Sequence, residues 1–203
     1  MKFNLFFLLF FAFLNVSYAQ FRHSIYIAPG VNLYQHVAGH QSYQTLKNHK
    51  FINSWQSSVG YRLLYRLNRF RFYVTSELKY SKLKFNQFYP SINFSGEIIN
   101  AEGSIGLSYR IYKKFAFGLD YKQIHELSAS GSFFDQIFDL DDDYFAYTFS
   151  LQYQFSKHFE TGLHFCAPFG NQYSKYSDDA NLSSLFFHKI YLNNLDLRFY
   201  YNF

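Results

Sequence analysis

Between Gly103 and Tyr121 the chain switches between apolar and polar residues with a period of two. Ile105, Leu107, Tyr109 and Ile111 take one parity, and Ser104, Gly106, Ser108 and Arg110 the other. After the basic pair Lys113-Lys114 the alternation resumes, with Phe115, Phe117, Leu119 and Tyr121 against Ala116, Gly118, Asp120 and Lys122. Successive side chains leave an extended strand on opposite faces, so this period predicts strand rather than helix. Two strands joined by a few residues make an antiparallel hairpin. One face is wholly apolar and the other carries ionised groups, which fits a sheet with lipid on one side and a polar interior on the other.

The same alternation recurs along the chain. Strand one places Ile25, Ile27, Val31 and Leu33 against Ser24, Ala28, Gly30 and Asn32. Strands two and three meet at a short turn around Asn68-Arg69, strands four and five at Lys113-Lys114, and strands six and seven at Ser156-Lys157-His158. Tyr65, Tyr109 and Tyr153, spaced 44 residues apart, open three versions of one motif, a basic turn with a ring on either side. Longer connections lie at Gln35–Lys50, Ser81–Gly96, Ser128–Asp143 and Pro168–Ser184. A repeat of this length also occurs in propellers, but their short strands are buried on both faces and would not sort charges from rings so strictly. The pattern predicts an all-β fold: an eight-stranded antiparallel up-and-down transmembrane β-barrel with short periplasmic turns and four long extracellular loops. Closure is required, because hydrocarbon leaves no partner for an open sheet edge.

Composition supports a membrane wall. Rings make up 24% of the residues, with 28 Phe and 20 Tyr, while mean hydropathy is only -0.20. A soluble domain would have to hide those rings in one core, whereas a barrel shows them to lipid and to the two interfaces. Lys2, the apolar run Phe3–Leu14 and Ser17-Tyr18-Ala19 predict a cleaved signal peptide over residues 1–19, leaving 20–203 as the barrel domain. The single cysteine, Cys166, excludes an intrachain disulfide. Removing Lys2 lowers the formal charge from +5 to +4. Scattered basic residues of that kind do not predict a nucleic-acid partner.

Parity also assigns the faces. Placing a basic residue on the lipid side near the midplane costs on the order of 2–4 kcal/mol. The ionised set is therefore expected inside: Arg62, Arg66, Arg71, Glu77, Lys79, Glu102, Arg110, Asp120, Lys122, Glu160, Asp196 and Arg198. An eight-stranded bore is only wide enough for its own side chains, so these charges are expected to form a packed structural network rather than a pore. The rings beside the short turns, Tyr65, Phe70, Tyr109, Phe115, Tyr153 and Phe159, with the terminal Phe203, are expected to form a periplasmic aromatic girdle. Ser57, Ser76, Gln123 and Lys189 are the exceptions on the lipid-facing parity.

On this topology, the turn rings and the terminal Phe203, residues 21–203 resemble the small eight-stranded outer-membrane barrels of the OmpA/OmpX type and those common in Bacteroidetes. The resemblance implies a bacterial outer-membrane protein in contact with membrane lipid and lipopolysaccharide. It also implies delivery by the barrel-assembly machinery through Phe203. The expected function is a non-enzymatic accessory or structural subunit that binds another outer-membrane protein or complex, with no cofactor. Phe133, Phe134 and Phe138 are the candidate partner-binding residues of the third loop.

The alternatives are a lipid A-modifying barrel enzyme, deacylase or acyltransferase, and a narrow ion channel. Small barrels of the lipid A deacylase family carry His-x-Ser-Asn on a strand with a nearby Glu, and His125-Glu126-Leu127-Ser128-Ala129 is similar to it with one residue more and no Asn. The extra residue predicts that His125 and Ser128 point to opposite faces. Asp135, Asp139, Asp141, Asp142 and Asp143 raise calcium, but they lack the glycine and closing glutamate of an EF-hand. His36, His40 and His49 lack metal-site spacing, so no metal is expected.

Overall fold

Strands form where the period-two pattern runs, and they form a single closed sheet. The structure is a computed structural model, described here for residues 21–37, 50–51, 54–88, 91–131, 143–169 and 189–203. The barrel strands are β1 (Phe21–Val37), β2 (Trp55–Leu67), β3 (Phe70–Phe88), β4 (Ser91–Tyr112), β5 (Phe115–Ser130), β6 (Asp143–Gln154), β7 (Phe159–Phe169) and β8 (Lys189–Asn202). A two-residue strand, Lys50–Phe51, pairs with Asn86 and Phe85 of β3. Each barrel strand runs antiparallel to its chain neighbours, and β8 pairs back on β1 from Ser24↔Asn202 to Val37↔Lys189. That last ladder closes the ring and removes every edge.

Register sets the bore. A row of paired residues leaving Ser24 crosses Arg62, Thr75, Ser104, Lys122 and Ala146 and arrives at Pro168 on β7. In the other direction Ser24 pairs with Asn202, whose N–H donates to the His158 carbonyl. The row thus returns ten residues along the chain from where it set out. Stagger of this kind tilts the strands by roughly 35–45° and leaves an interior that side chains fill.

Exposure follows parity. On β5, Phe117, Leu119 and Tyr121 are exposed at 46%, 46% and 41%, while Asp120 and Lys122 on the other parity are each at 1%. At the short-turn end, rings pair across strands: Phe70 with Tyr109 at 5.1 Å between centroids, Phe115 with Tyr153 at 4.7 Å, and Phe159 with Tyr201 at 5.3 Å. Tyr65 departs from the lipid-facing girdle. Phe21 packs on it at 5.0 Å, and it is buried. Phe203 stacks on His23 at 6.0 Å and remains exposed.

The second long connection, expected between Ser81 and Gly96, is built mostly as strand. The β3–β4 ladder continues from Ser81↔Ile98 through Leu83↔Gly96 to Phe88↔Ser91. Lys82 and Glu97 face each other there in a half-exposed 2.9 Å ion pair. Beyond the bilayer both faces of a hairpin can be wet, so its polar residues read as loop although the pairing continues.

Candidate functional site

Inward positions on all eight strands converge on the barrel axis. Ten ionised side chains there are under 5% exposed: Arg62, Arg71, Lys79, Lys122 and Arg198 against Glu77, Glu102, Asp120, Glu160 and Asp196. Five charges of each sign make the buried set neutral, as a low-dielectric interior requires. Arg66 and Arg110 share the inward parity but are only half-buried.

Near mid-barrel, Glu77 on β3 is the hub. Lys122 Nζ lies 3.0 Å and Arg198 Nη2 3.1 Å from its carboxylate, and the Tyr26 hydroxyl donates to it. Glu102 bridges Lys122 at 2.5 Å and Lys79 at 2.7 Å. Asp196 accepts from Arg198 Nε at 3.1 Å. Closer to the short turns, Glu160 on β7 holds two guanidiniums, Arg62 Nη1 and Arg71 Nη1, each at 2.7 Å. β3 and β7 stand on opposite walls of the ring, so Arg71–Glu160 spans the bore.

Inward aromatics, which charge patterning alone does not single out, complete the packing. The Tyr73 hydroxyl donates to Asp120. The Arg62 guanidinium lies 3.8 Å from the Tyr200 ring, whose hydroxyl meets His164 Nε2 at 3.1 Å. Tyr26 lies across Gly60 so closely that a Cβ there would collide with its ring. A ring directly opposite an inward glycine in the ladder, as Tyr26 is to Gly60 and Tyr73 to Gly106, is the signal that identifies this type of packing.

Apart from the separate Ser57 on β2, the described outer wall has a polar break that runs across three strands. Ser76, Gly103 and Gln123 are neighbours in the β3–β4–β5 ladders, and all three are exposed on the lipid-facing parity. Ser76 is the seventh residue from the start of β3, near the middle of the roughly 9–11 residues a tilted strand needs to cross a bilayer. A Cβ on Gly103 would meet only the Thr75 carbonyl oxygen, at 3.9 Å. Nothing inside the barrel requires a glycine there. Val74, Leu78, Ile105 and Tyr121 wall a shallow groove over this break, and Ala101 and His125 lie at its long-loop end.

His125 points outward and its Nδ1 is 2.8 Å from Asp143 Oδ1 on β6. The expectation that Ser128 faces the other way is corrected by a bulge in the β4–β5 ladder. Asn100 pairs with Glu126 but Ile99 pairs with Ser128, so Leu127 is the extra residue and Ser128 returns to the face of His125. Glu126 takes the opposite, inward parity. No hydrogen bond joins Ser128 to His125. Phe133, Phe134, Phe138 and Asp135–Asp142 lie outside the described residues, as do His40 and His49. Among the described residues, no three potential metal ligands cluster.

No family model matches the chain, and no curated protein does. Solved structures similar to it include Ail, the attachment invasion locus protein of Yersinia pestis, at 14% identity over 90% of this chain and 98% of that one, with a TM-score of 0.45. Ail also has a solved complex with the heparin analogue sucrose octasulfate. The outer membrane protein OprG from Pseudomonas aeruginosa matches at 10% identity over 90% of this chain and 94% of its own, with a TM-score of 0.49. This chain is an all-β, closed, eight-stranded antiparallel barrel.

Proposed function

We propose that the protein is a non-enzymatic subunit of the bacterial outer membrane whose wall docks a second outer-membrane protein at Ser76, Gly103 and Gln123. Export through a cleaved segment at residues 1–19, and assembly through Phe203, belong to the same proposal. Gly103 carries it. A glycine inside a strand weakens the strand and marks close approach of another backbone, and among the described residues no backbone or side chain makes that approach. On either side of it stand a hydroxyl and a carboxamide that acyl chains cannot satisfy. A partner wall carrying small and polar residues supplies both the space-filling and the hydrogen bonds. The bore supports the same choice, since ion pairs such as Arg71–Glu160 cross it among inward side chains that are almost wholly buried.

The test is purification from native membranes in mild detergent, comparing the wild type with Gly103→Val. A β-branched residue favours the strand, so the barrel should fold at least as well while the copurifying chain falls at least tenfold. A wild-type protein that is strictly monomeric in those membranes would sink the proposal.

A second reading rests on the bulge. Ser128 and His125 share the outward parity, His125 lines the groove, and Asp143 holds its imidazole, so a nucleophile, a base and an orienting acid stand on the same outer face of the wall. The groove would seat an acyl chain, and the reaction would be hydrolysis of a lipid ester, lipid A being the candidate. Comparing lipid A mass spectra of parent, deletion and Ser128→Ala strains decides it. Unchanged spectra remove the enzyme, whereas a shift by one acyl chain reversed only by the intact serine would replace the docking proposal.

A further inference from the structure

The buried charges balance, but the short-turn mouth does not. Arg22, Arg66 and Arg110 occupy inward positions at the ends of β1, β2 and β4, half-buried around the rim. Arg66 pairs in the ladder with Arg71 and stands within electrostatic reach of Arg22, Arg71 and Arg110, with Glu160 as an opposing acid. Both oxygens of Glu160 are already held, at 2.7 Å each, by Arg62 and Arg71. The side chains of Arg22, Arg66 and Arg110 make no hydrogen bond or ion pair with the described residues, and Arg66 Nε is buried with no acceptor. The adjoining turns add Arg69, Lys113, Lys114 and Lys157, and no carboxylate lies between Tyr65 and Phe70, Tyr109 and Phe115 or Tyr153 and Phe159. Like charges gathered without a counterion oppose the fold that gathers them. A rim built in this way is complete only with an anion.

We propose that Arg22, Arg66 and Arg110 form a binding site for a phosphate group at the short-turn mouth of the barrel. The three guanidiniums belong to three different strands and share the inward parity at one end of the barrel, so their donor forks reach the mouth from separate directions. A carboxylate offers two oxygens in one plane, whereas a phosphate offers three or four disposed tetrahedrally, and planar guanidinium forks suit it well. The phosphate comes either from the headgroup of a phospholipid in the adjoining leaflet or from a soluble phosphate ester, and the chemistry at the rim is the same.

The experiment uses the full barrel folded in a nonionic detergent. Inorganic phosphate is titrated at constant ionic strength while the guanidinium Nε–H NMR signals of the arginines are followed, with chloride as control. Saturable shifts at Arg66 and Arg110 with phosphate and none with chloride are expected. In Arg66→Gln/Arg110→Gln the apparent affinity should fall at least tenfold, and Arg66→Lys/Arg110→Lys should recover only part of it. If the glutamine pair fails to fold, Arg22→Gln alone at the open end of β1 carries the comparison. A second arm uses nanodiscs of phosphatidylglycerol or of an uncharged glycolipid, read by native mass spectrometry. One phospholipid retained by the wild type and lost from the variant identifies a headgroup. Phosphate shifts without lipid retention identify a soluble ester. No saturable response, an equal response to chloride, or one unchanged in every variant overturns the site, and none of these outcomes bears on docking at Gly103.

Discussion

The two charged layers of the bore are stacked one above the other yet built on different terms. The mid-barrel layer sets Lys79, Lys122 and Arg198 against Glu77, Glu102 and Asp196, three charges of each sign. The layer nearer the short turns pairs both Arg62 and Arg71 with Glu160, while the fifth buried acid, Asp120, is held by the Tyr73 hydroxyl, and Arg22, Arg66 and Arg110 lie beyond. A closed layer behaves as a core made of ions: each member is tolerable only because its partners are present. An open layer keeps surplus donors, and water reaching the mouth lessens the penalty for it.

The largest effect should come from breaking the closed layer at its hub. Glu77→Gln leaves Lys122 and Arg198 facing each other with one carboxylate fewer, at a cost on the order of 3–5 kcal/mol for uncompensated buried charge. Urea unfolding of the barrel in detergent micelles, followed by tryptophan fluorescence from Trp55, measures it. A loss under about 1 kcal/mol would show that the hub is hydrated and the layer open. Glu160→Gln in the other layer should cost less, roughly 1.5–3 kcal/mol, the range for a charged hydrogen bond lost where some resolvation is possible. This variant also removes the pair that spans the bore. Planar-bilayer recordings should be silent for the wild type, and conductance steps in Glu160→Gln alone would identify Arg71–Glu160 as the plug.

Much of this was legible in the sequence because face follows from parity. A charge between two rings on a strand has nowhere to point but inward once the rings face lipid, so Asp120 and Lys122 need no tertiary information to be placed. Partners are a different matter. Arg71 and Glu160 are 89 residues apart and meet across the bore, and which acid lies opposite depends on a shear summed over eight ladders. A single inserted residue also escapes a parity count: Leu127 bulges out, and Ser128 changes face without any change in composition. Tyr65 keeps its expected parity but is covered by Phe21, whose effect is visible only when β1 pairs with β2.

Glycines sharpen the contrast between inside and outside at a smaller scale. Gly60→Ala drives a methyl into the Tyr26 ring, which the Glu77 hub holds in place. Overpacking of this kind costs about 1–3 kcal/mol. Gly103→Ala meets nothing closer than 3.9 Å and should stabilise the isolated barrel by roughly 0.5–1 kcal/mol, the entropic cost of glycine in a strand. Unfolding midpoints of the two variants should therefore move in opposite directions. Should both fall, Gly103 has an internal role and the case for a docked partner weakens.

The smallest effect concerns the turns that join these layers. Asn68 and Lys113 both adopt left-handed backbone, with φ of 54° and 33°. Asparagine populates that region readily, its short polar side chain bonding locally, whereas lysine does so at a steric cost. Lys113→Asn should therefore relieve strain and stabilise by about 0.5 kcal/mol, the lower end of what compatible turn substitutions give. The same change removes one cation from the basic mouth. If the rim arginines alone hold phosphate, its affinity should be unchanged in Lys113→Asn while stability rises. A parallel drop in affinity would place the site on the turns instead of the bore, because only a group near Lys113 would feel the loss of an outward, solvent-screened charge.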